Sequence, residues 1–300
     1  MDKVLVTGAT GYLGNHVISA LADLGYDVIG VDVKTGEIDK RAKLIVYDIF
    51  GGSEQTFSDL GSPQRIIHLA WKDGFIHNSV AHIDYLPLHL RFITQMVESG
   101  CDKITVMGSM HEVGYYEGAV TENTPTNPRS YYGIAKNSLR QALEILSAQK
   151  NFSLKWLRGF YITGDDFKNN SVFTKLLEKA NAGEKTFPFT SGTNKYDFIT
   201  IQQLALQIAL ASVQDDVDGI INCCSGKPVA LKDKVEQFIV DNNLDIRLEY
   251  GAFPDRPYDS KIIYGDNKKI SDILNSAIGK YGTNNDLVIK KQVETLGYGD

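Results

Sequence analysis

Cysteine is scarce in this chain, since only Cys101, Cys223 and Cys224 occur among its 300 residues. Three thiols at that spacing cannot form a disulfide framework or a cysteine-ligated zinc site, so we expect a reducing compartment and no metal. The sequence also lacks the run of about 18 apolar residues that a membrane-spanning helix needs. A net charge of −6 without a basic stripe argues against nucleic acid as a partner.

The start of the chain leaves no room for a targeting signal, because the apolar residues of a first strand follow Lys3 directly. We therefore expect the protein in the cytoplasm. The composition, 43% hydrophobic and 23% charged, is that of an ordinary globular protein. A chain of this length can bury a large core and fits one large α/β domain with a smaller lobe.

The first half of the chain alternates short apolar runs with helical patterns. Strands are predicted at 4–6, 28–33, 44–47, 65–69, 103–107 and 154–157. Helices are predicted at 15–24, 83–98 and 131–149. This alternation is typical of an α/β protein with a doubly wound parallel sheet, covered by helices on both faces.

A glycine-rich turn follows the first strand. The segment TGATGYLG contains the motif GxxGxxG, with Gly8, Gly11 and Gly14 at its first, fourth and seventh positions. Glycines there let a diphosphate approach the backbone, and the following helix presents free N–H groups and the positive end of its dipole. We therefore predict a Rossmann-type dinucleotide site, with Tyr12 and Leu13 also in contact with the cofactor.

An acidic residue stands where such a site needs one, at the end of the second strand. Asp32 follows the glycines by about 20 residues, where a carboxylate accepts hydrogen bonds from the adenosine ribose. Because a carboxylate repels the 2′-phosphate of NADP(H), Asp32 favours NAD(H) as the cofactor, although Lys34 weakens that preference. The alternative is that Asp32 only caps the strand.

Further cofactor contacts are expected where the third and fourth strands end. The candidates are Asp48 and Ile49 for the adenine, and Leu69, Ala70 and Trp71 for the diphosphate. His68, the residue before Leu69, is interpreted as a packed strand-end residue and not as a catalyst.

Tyr132 and Lys136 have the spacing of an acid–base pair on one face of a helix. A free phenol has a pKa of about 10, and a neighbouring ammonium together with the positive charge of an oxidised nicotinamide stabilises the phenolate. Tyr132 is therefore the candidate that exchanges a proton with a hydroxyl or a carbonyl during hydride transfer. Tyr131 is a weaker candidate, because Ala135 stands at its i+4 position.

A hydroxyl donor is expected just beyond the fifth strand. Ser109 stands there in the segment VMGSMHEVG, where its hydroxyl can bind the same oxygen as Tyr132. A loop-forming role for Gly108 and Ser109 is the alternative. The predicted catalytic residues are Ser109, Tyr132 and Lys136.

The pattern loosens after Gly164. Helices are predicted at 172–182, 202–212 and 232–242, strands at 197–201, 219–223 and 247–250, and a short helix in the last dozen residues. We interpret residues 1–165 as an NAD-binding domain that carries the catalytic residues. Residues 166–300 are interpreted mainly as a substrate-binding lobe, interleaved with the last strands of the sheet.

The ordered set of motifs resembles the extended short-chain dehydrogenase/reductase superfamily, in its nucleotide-sugar epimerase, dehydratase and reductase branch. The shared features are TGxxGxxG, an Asp after the second strand, a Ser after the fifth and YxxxK. The likeness continues in WLRGFY (156–161) after the sixth strand, YDFI (196–199, similar to the family's RDFI), RPYD (256–259) and GDN (265–267). The resemblance implies a homodimer formed through helices 83–98 and 131–149.

The resemblance also implies a role for each matching residue. Tyr132 would be the acid/base, Lys136 its partner and a ligand of the nicotinamide ribose, and Ser109 the donor to the carbonyl. The residues against the nicotinamide would be Phe160, Tyr161 and Ile162. The residues that bind the substrate, a nucleoside-diphosphate sugar, would be Met110, His111, Asn169, Asn170 and Arg256, the last of them on a phosphate.

The residues after Ser109 separate the reactions of this family. Family 4,6-dehydratases carry an Asp-Glu pair there, whereas this chain has Met110 and His111, which disfavours dehydration. Glu112 stands one place too late for that pair, which leaves it a structural role. A 4-ketoreductase or 4-dehydrogenase needs only the three catalytic residues, and the loop resembles that of reductases of nucleotide-linked 4-keto-6-deoxy sugars.

We therefore expect this oxidoreductase activity at C4, in polysaccharide biosynthesis. The alternative is a 4-epimerase that retains its NAD, which Asp32 suits at least as well. A non-catalytic NAD-binding sensor is a further alternative, which the complete set of catalytic residues disfavours.

Overall fold

The computed structural model describes residues 2–164, 171–255 and 259–296. Within these ranges the strands are β1 (Lys3–Thr7), β2 (Asp27–Asp32), β3 (Lys43–Val46), β4 (Arg65–His68), β5 (Lys103–Ser109), β6 (Gly118–Val120), β7 (Ser153–Gly159), β8 (Tyr161–Thr163), β9 (Thr186–Pro188), β10 (Lys195–Thr200), β11 (Gly219–Cys223), β12 (Pro228–Ala230), β13 (Arg247–Glu249) and β14 (Ile262–Gly265). The helices are α1 (Gly14–Asp23), α2 (Thr56–Asp59), α3 (Ala81–Glu98), α4 (Tyr131–Lys150), α5 (Val172–Asn181), α6 (Ile201–Val213), α7 (Leu231–Asp241), α8 (Lys268–Ala277) and α9 (Thr283–Leu296), with a 3₁₀ turn at Met110–Glu112. None of the helices in these ranges has both the length and the apolar character needed to cross a lipid bilayer.

The largest sheet has seven strands in the order β3-β2-β1-β4-β5-β7-β11, and all neighbouring pairs are parallel. The predicted Rossmann-type sheet is therefore confirmed. The strand order reverses between β1 and β4, and the carboxyl ends of strands at such a point open the crevice in which ligands of these sheets bind. The glycine turn, Asp32, Leu69–Trp71 and Ser109 all lie at or just beyond those ends.

Both faces of this sheet are buried beneath helices. Val4 and Val6 of β1 pack in the cluster that contains α1 and α6, whereas Leu5 packs in the cluster that contains α3 and α4. Successive side chains of a strand point to opposite faces, so a strand covered on both sides is apolar throughout. This two-sided burial explains why short apolar runs predicted the strands.

A second sheet has the order β12-β10-β14-β6, with β8 paired to β10 as well. Its strands β6 and β8 precede residue 165, whereas β11 of the large sheet follows it. The parallel pair β9 and β13 forms a separate small sheet. It shares a core with α5 and α7, in which Phe173, Leu176 and Val235 are buried.

Several short elements had no counterpart in the sequence predictions. β6, β9 and β12 have three residues each, too few to show an alternating pattern. The helix α8 was missed although Ile270, Ile273 and Leu274 recur at helical spacing and are buried. At the end of the described chain, α9 has 14 residues and is longer than the short helix predicted there.

Asp197 of β10 ties the second sheet to the turn that follows β11. Its side chain is fully buried, and Oδ1 accepts hydrogen bonds from the N–H (2.8 Å) and the hydroxyl (2.5 Å) of Ser225. Oδ2 accepts from the N–H groups of Gly226 (2.9 Å) and Gly265 (3.0 Å). Burial raises the pKa of Asp197 and the hydrogen bonds oppose that rise. The YDFI segment therefore supplies a clamp between segments far apart in the sequence.

Replacing Asp197 with Ala is expected to lower the free energy of unfolding by about 3 kcal/mol or more, because each buried donor left without a partner costs about 1–3 kcal/mol. Urea unfolding followed by circular dichroism measures the change. The matched control is Asp245→Ala, whose side chain is 88% exposed beside Lys185 and whose effect should stay within about 0.5 kcal/mol. Equal unfolding midpoints for the two variants would contradict the assignment of the clamp.

Candidate active site

The glycine turn after β1 has no room for side chains at two of its glycines. Gly8 has a φ of +71°, and a Cβ placed on it would lie 2.8 Å from the backbone nitrogen of Ala70. A Cβ on Gly14 would lie 2.1 Å from the carbonyl oxygen of Gly8. Glycine is therefore required at both positions for the turn to pack against the segment after β4 and against itself, and the turn carries no side chain at these points.

The start of α1 is suited to a negatively charged group. Within the described chain its cap residue, Leu13, contributes no side-chain acceptor, and the first helical turn holds no acidic residue. The N–H groups and the positive end of the helix dipole are thus left for a ligand. Tyr12 is held beside the turn, because its hydroxyl donates to the carbonyl of Gly164 at 2.6 Å. These features fit the diphosphate of a dinucleotide.

Asp32 lies against the glycine turn. Its Oδ2 accepts hydrogen bonds from the N–H (3.0 Å) and the hydroxyl (2.8 Å) of Thr10, and Oδ1 accepts from the N–H of Val33 at 2.8 Å. The carboxylate is therefore fixed at the end of β2. Two carboxylate oxygens can accept about four hydrogen bonds, so these three donors leave room for another. Asp48 closes its own turn, because its Oδ1 accepts a hydrogen bond from the N–H of Phe50. The side chain of the neighbouring Ile49 is buried in the core, which leaves the main chain of Ile49 for contacts with a ligand.

A chain of hydrogen bonds runs from Thr7 into the core below the turn. The Thr7 hydroxyl accepts from the N–H groups of Leu69 and Ala70, both at 3.1 Å, so its one proton goes to Nδ1 of His68 at 2.8 Å. Nε2 of His68 then donates to Nδ1 of His89 at 2.8 Å. Burial lowers the pKa of His68 to about 3 and that of His89 further, so both rings are neutral. His68 is thus a packed residue, which agrees with its interpretation from the sequence.

Trp71 connects this turn to the predicted catalytic helix. Its ring stacks on His89, with centroids 4.3 Å apart and an interplanar angle of 12°. The Lys136 ammonium lies 3.6 Å from the centroid of the same ring, within the range of a cation–π interaction. The indole N–H donates to Nδ1 of His82 at 3.0 Å. The Tyr132 ring lies against Trp71 edge-on at 6.1 Å.

The structure brings Ser109, Tyr132 and Lys136 together. α4 begins at Tyr131, where the Ser130 hydroxyl accepts from the N–H of Gly133 at 3.1 Å, so Tyr132 and Lys136 lie one turn apart near the helix start. Lys136 is buried and donates to the carbonyl of Met107 in β5 at 2.6 Å. Ser109 lies close enough to Tyr132 for its hydroxyl to lower the pKa of the phenol.

Burial sets the protonation of the pair. It raises the pKa of Tyr132 to about 12, against a lowering by the nearby hydroxyl of Ser109. It lowers the pKa of Lys136 to about 7, and the negative charge of Glu112 opposes this. Burial therefore outweighs the stabilisation of the phenolate that the sequence predicted, so Tyr132 holds its proton and can donate it to a carbonyl. A positive charge brought near the ring would stabilise the phenolate and favour the reverse transfer.

Glu112 supports Ser109 from behind and is fully buried. Its Oε1 accepts from the N–H of Ser109 at 2.6 Å and from Nε1 of Trp156 at 2.9 Å. The guanidinium groups of Arg158 and Arg140 lie 3.5 and 3.7 Å from Oε2. Burial raises the pKa of Glu112, and these neighbours oppose the rise. The Glu112 carboxylate therefore holds the loop that begins at Ser109 in place.

The sequence contains a signature for the contact between Glu112 and Ser109 that the predictions did not use. Ser109 and Glu112 have the Ser-x-x-Glu spacing of a capping box, and both of its hydrogen bonds are present at the 3₁₀ turn. Gly108 is required beside it, because a Cβ there would lie 2.1 Å from Nε1 of Trp156. Trp156 belongs to β7, which extends to Gly159, two residues beyond the end predicted at 157.

The remaining predicted residues lie around this centre. Met110 and Phe160 are buried in one apolar cluster with Tyr196, and the Tyr161 ring contacts Tyr196 with centroids 4.4 Å apart. Ile162 is half-buried in β8. The half-buried ring of His111 contacts that of His77, a residue that the sequence analysis did not select, at 4.3 Å. The predicted substrate ligands Asn169, Asn170 and Arg256 lie outside the described residues.

Comparison with known proteins places the chain in a family. A sequence profile of the NAD dependent epimerase/dehydratase family matches residues 4–224. A dTDP-6-deoxy-L-talose 4-dehydrogenase (NAD(+)) of Aggregatibacter actinomycetemcomitans is 43% identical over 269 residues, which are 88% of this chain and 99% of that protein. A UDP-glucose 4-epimerase of Corynebacterium glutamicum is 28% identical over 260 residues, 78% of each chain.

A solved structure shows the same fold. The UDP-N-acetylglucosamine 4-epimerase from Methanobrevibacter ruminantium M1, in complex with UDP-N-acetylmuramic acid, superposes with a TM-score of 0.79 at 21% identity and covers 99% of this chain and 97% of its own. The chain therefore belongs to the NAD-dependent epimerase/dehydratase family, an enzyme family with NAD as its cofactor, which confirms the resemblance that the sequence motifs indicated.

Proposed function

We propose that the protein is an NAD(H)-dependent oxidoreductase that acts at C4 of a nucleoside-diphosphate deoxysugar, as a 4-ketoreductase or 4-dehydrogenase. One observation carries the proposal: the turn that fits a diphosphate is joined through Trp71 to the site where Ser109, Tyr132 and Lys136 meet. The relative that is 43% identical, whose name states a 4-dehydrogenase of a dTDP-linked deoxysugar, supports the position and the substrate class.

The cofactor would be held along the crevice between β1 and β4. Gly8, Gly11, Gly14, Tyr12 and Leu13 would bind its diphosphate, Asp32 the adenosine ribose, Asp48 and Ile49 the adenine, Leu69, Ala70 and Trp71 the opposite wall, and Lys136, Phe160, Tyr161 and Ile162 the nicotinamide end. NAD, when bound, accepts a hydride from the alcohol carbon or, as NADH, returns one to the carbonyl carbon.

The protein's own contribution is the proton and its position. During reduction, Tyr132 donates its phenolic proton to the carbonyl oxygen, and during oxidation it takes that proton from the hydroxyl. Ser109 donates a hydrogen bond to the same oxygen and so fixes its place. Lys136 supplies a positive charge beside the phenol. We propose further that residues 166–300 mainly bind the sugar nucleotide. The residues that contact the sugar nucleotide would include Met110, His111, Asn169, Asn170 and Arg256.

A 4-epimerase that retains NAD is the second candidate. The Corynebacterium relative is named as a 4-epimerase, and a well-held Asp32 suits a tightly bound cofactor. The same three catalytic residues serve both reactions, so the difference lies in whether the cofactor leaves after each turnover. A non-catalytic NAD-binding sensor is disfavoured, since it has no use for a buried Lys136 beside a phenol.

Replacing Tyr132 with Phe is expected to lower turnover by about 100-fold or more, because the proton donor is lost while the ring is kept. Turnover is measured with NAD⁺ and dTDP-6-deoxy-L-talose, and in reverse with NADH and the corresponding 4-ketone. Net NADH formation or loss, one per sugar, indicates a dehydrogenase or reductase. A change of configuration at C4 without net cofactor change indicates an epimerase.

The matched control is Tyr131→Phe, since this neighbouring tyrosine is 45% exposed at the helix start and should turn over at the wild-type rate. NADH fluorescence should give the same affinity for both variants. If Tyr132→Phe keeps wild-type turnover, or Tyr131→Phe loses it, the acid/base assignment is wrong.

The protein is expected to bind NAD(H) at least tenfold more tightly than NADP(H), because Asp32 accepts ribose hydroxyls and repels a 2′-phosphate. Asp32→Ala should lose most of this preference by weakening NADH binding about tenfold. The matched control, Asp27→Ala, alters an exposed carboxylate at the other end of β2 and should change neither affinity. Fluorescence titration with both cofactors measures this, and a wild-type preference for NADPH would refute it.

We also propose a homodimer in the cytoplasm, acting in polysaccharide biosynthesis. The exposed surfaces of the adjacent helices α3 and α4 include Ile83, Ile134 and Ile145, which are 38%, 40% and 62% exposed. Light scattering is expected to give twice the chain mass of 33.2 kDa, and Ile134→Lys/Ile145→Lys should give a monomer. The control is Val240→Lys on α7, which is 68% exposed and should leave the dimer intact. A monomeric wild type at micromolar concentration would contradict the proposal.

A further inference from the structure

Five of the six histidines lie near the catalytic centre, and their hydrogen bonds divide them into two groups. His68 forms hydrogen bonds through both ring nitrogens, to Thr7 and to Nδ1 of His89, so His68 and His89 belong to the first group. His82 likewise accepts from Trp71 and donates to the carbonyl of Ile76 at 3.0 Å. These rings are fixed parts of the core.

His77 and His111 form the other group. Within the described chain, neither imidazole makes a hydrogen bond through its ring nitrogens. Their rings touch, with centroids 4.3 Å apart, and both lie against Tyr132, at 5.4 Å for His77 and 6.1 Å for His111. Two imidazoles whose ring nitrogens are not used within the described chain therefore lie beside the ring of Tyr132.

His77 is held in register with the catalytic phenol. Its ring is nearly parallel to that of Tyr132, with an interplanar angle of 12°. Its carbonyl accepts from the N–H of Tyr132 at 2.9 Å, which ties the loop to the start of α4. The loop is itself closed by Ser79, whose hydroxyl donates to Asp73 at 2.6 Å. An exposed side chain is thus presented at a fixed place by a bonded turn.

The chemistry of the two rings fits an uncharged hydroxyl. Burial, and then the nearby His77, lower the pKa of His111 to about 3, and partial desolvation followed by the nearby His82 lowers that of His77. At neutral pH each ring is then an uncharged imidazole with one donor and one acceptor nitrogen. A sugar hydroxyl also donates one hydrogen bond and accepts others, so the groups match, whereas a phosphate would find only one donor on each ring.

We propose that His77 and His111 together bind the sugar hydroxyl on the carbon next to the reacting carbon, and that His77 is a specificity-determining residue. The inference rests on the proposed function. In a 6-deoxyhexose the neighbours of C4 are C3, which carries a hydroxyl, and C5, which carries a methyl group and the ring oxygen. The hydroxyl in question is therefore the one at C3.

The test separates hydrogen bonding from ring stacking with two variants at an exposed position. His77→Phe keeps a ring to stack on Tyr132 but has no nitrogen, whereas His77→Gln gives up the ring and keeps a donor and an acceptor. With dTDP-6-deoxy-L-talose, kcat/KM of His77→Phe is expected to fall about tenfold through KM, because the C3 hydroxyl is left without its partner. His77→Gln should recover part of this loss, and NADH affinity should be unchanged in both variants.

The 3-deoxy analogue of the same substrate completes the experiment. The wild type should lose about tenfold on this analogue, whereas His77→Phe should be about as active on the analogue as on the full substrate, since the interaction is already absent from the variant. The inference is overturned if His77→Phe equals the wild type on the full substrate, or if it is still about tenfold less active than the wild type on the analogue, since its loss then does not come from the C3 hydroxyl.

Calorimetric titration of the NAD-loaded protein with dTDP-6-deoxy-L-talose and with dTDP gives a readout that does not depend on turnover. We expect His77→Phe to weaken binding of the sugar nucleotide about tenfold and binding of dTDP not at all. A wild type that binds the sugar nucleotide without turnover would refute the proposed function and leave this inference standing. Equal affinities of the wild type and the variant for the sugar nucleotide would refute the inference alone.

Discussion

The buried carboxylate of Glu112 is the charge on which the geometry of the catalytic centre depends. An ion in the core costs several kcal/mol unless it is paired and hydrogen-bonded, and its partners come from three different elements. Ser109 ends β5, Arg158 lies in β7, and Arg140 follows Lys136 by one turn on α4. All three must be in place for the charge to be satisfied. The hydroxyl and the ammonium proposed for catalysis are therefore fixed relative to each other by the same constraint.

A second set of contacts joins the glycine turn proposed for the cofactor to Tyr132 and Lys136. Thr7 holds the segment after β4 against Gly8, and the next residue of that segment, Trp71, packs on His89 and lies beneath Lys136. The aromatic ring takes the place of a carboxylate partner for a buried ammonium, since a π-face attracts a cation without bringing a formal charge. Burial lowers the pKa of Lys136 to about 7, and the Trp71 ring is one of the groups that cover its ammonium.

Much of this was readable from the sequence because it depends on local patterns. Two-sided burial made the strands apolar, and the glycine spacing marked the turn that follows β1. The spacing of Tyr132 and Lys136 was enough to place them on one helix face. The partners of Glu112 were not predictable, because Arg140 and Arg158 approach it only after the sheet has formed. His77 was missed for the same reason: only the bonded turn before α3 brings it onto the phenol.

The exchange of strands between the two sheets has a consequence for how the molecule can be divided. β6 and β8 precede residue 165 and join the second sheet, while β11 joins the large sheet and α6 packs on it from beyond that residue. A fragment cut near residue 165 would expose the apolar surface of α1 that α6 covers, and it would leave β8 without its neighbour. The two sheets therefore belong to one folding unit, which fixes the position of the second sheet relative to Ser109 and Tyr132.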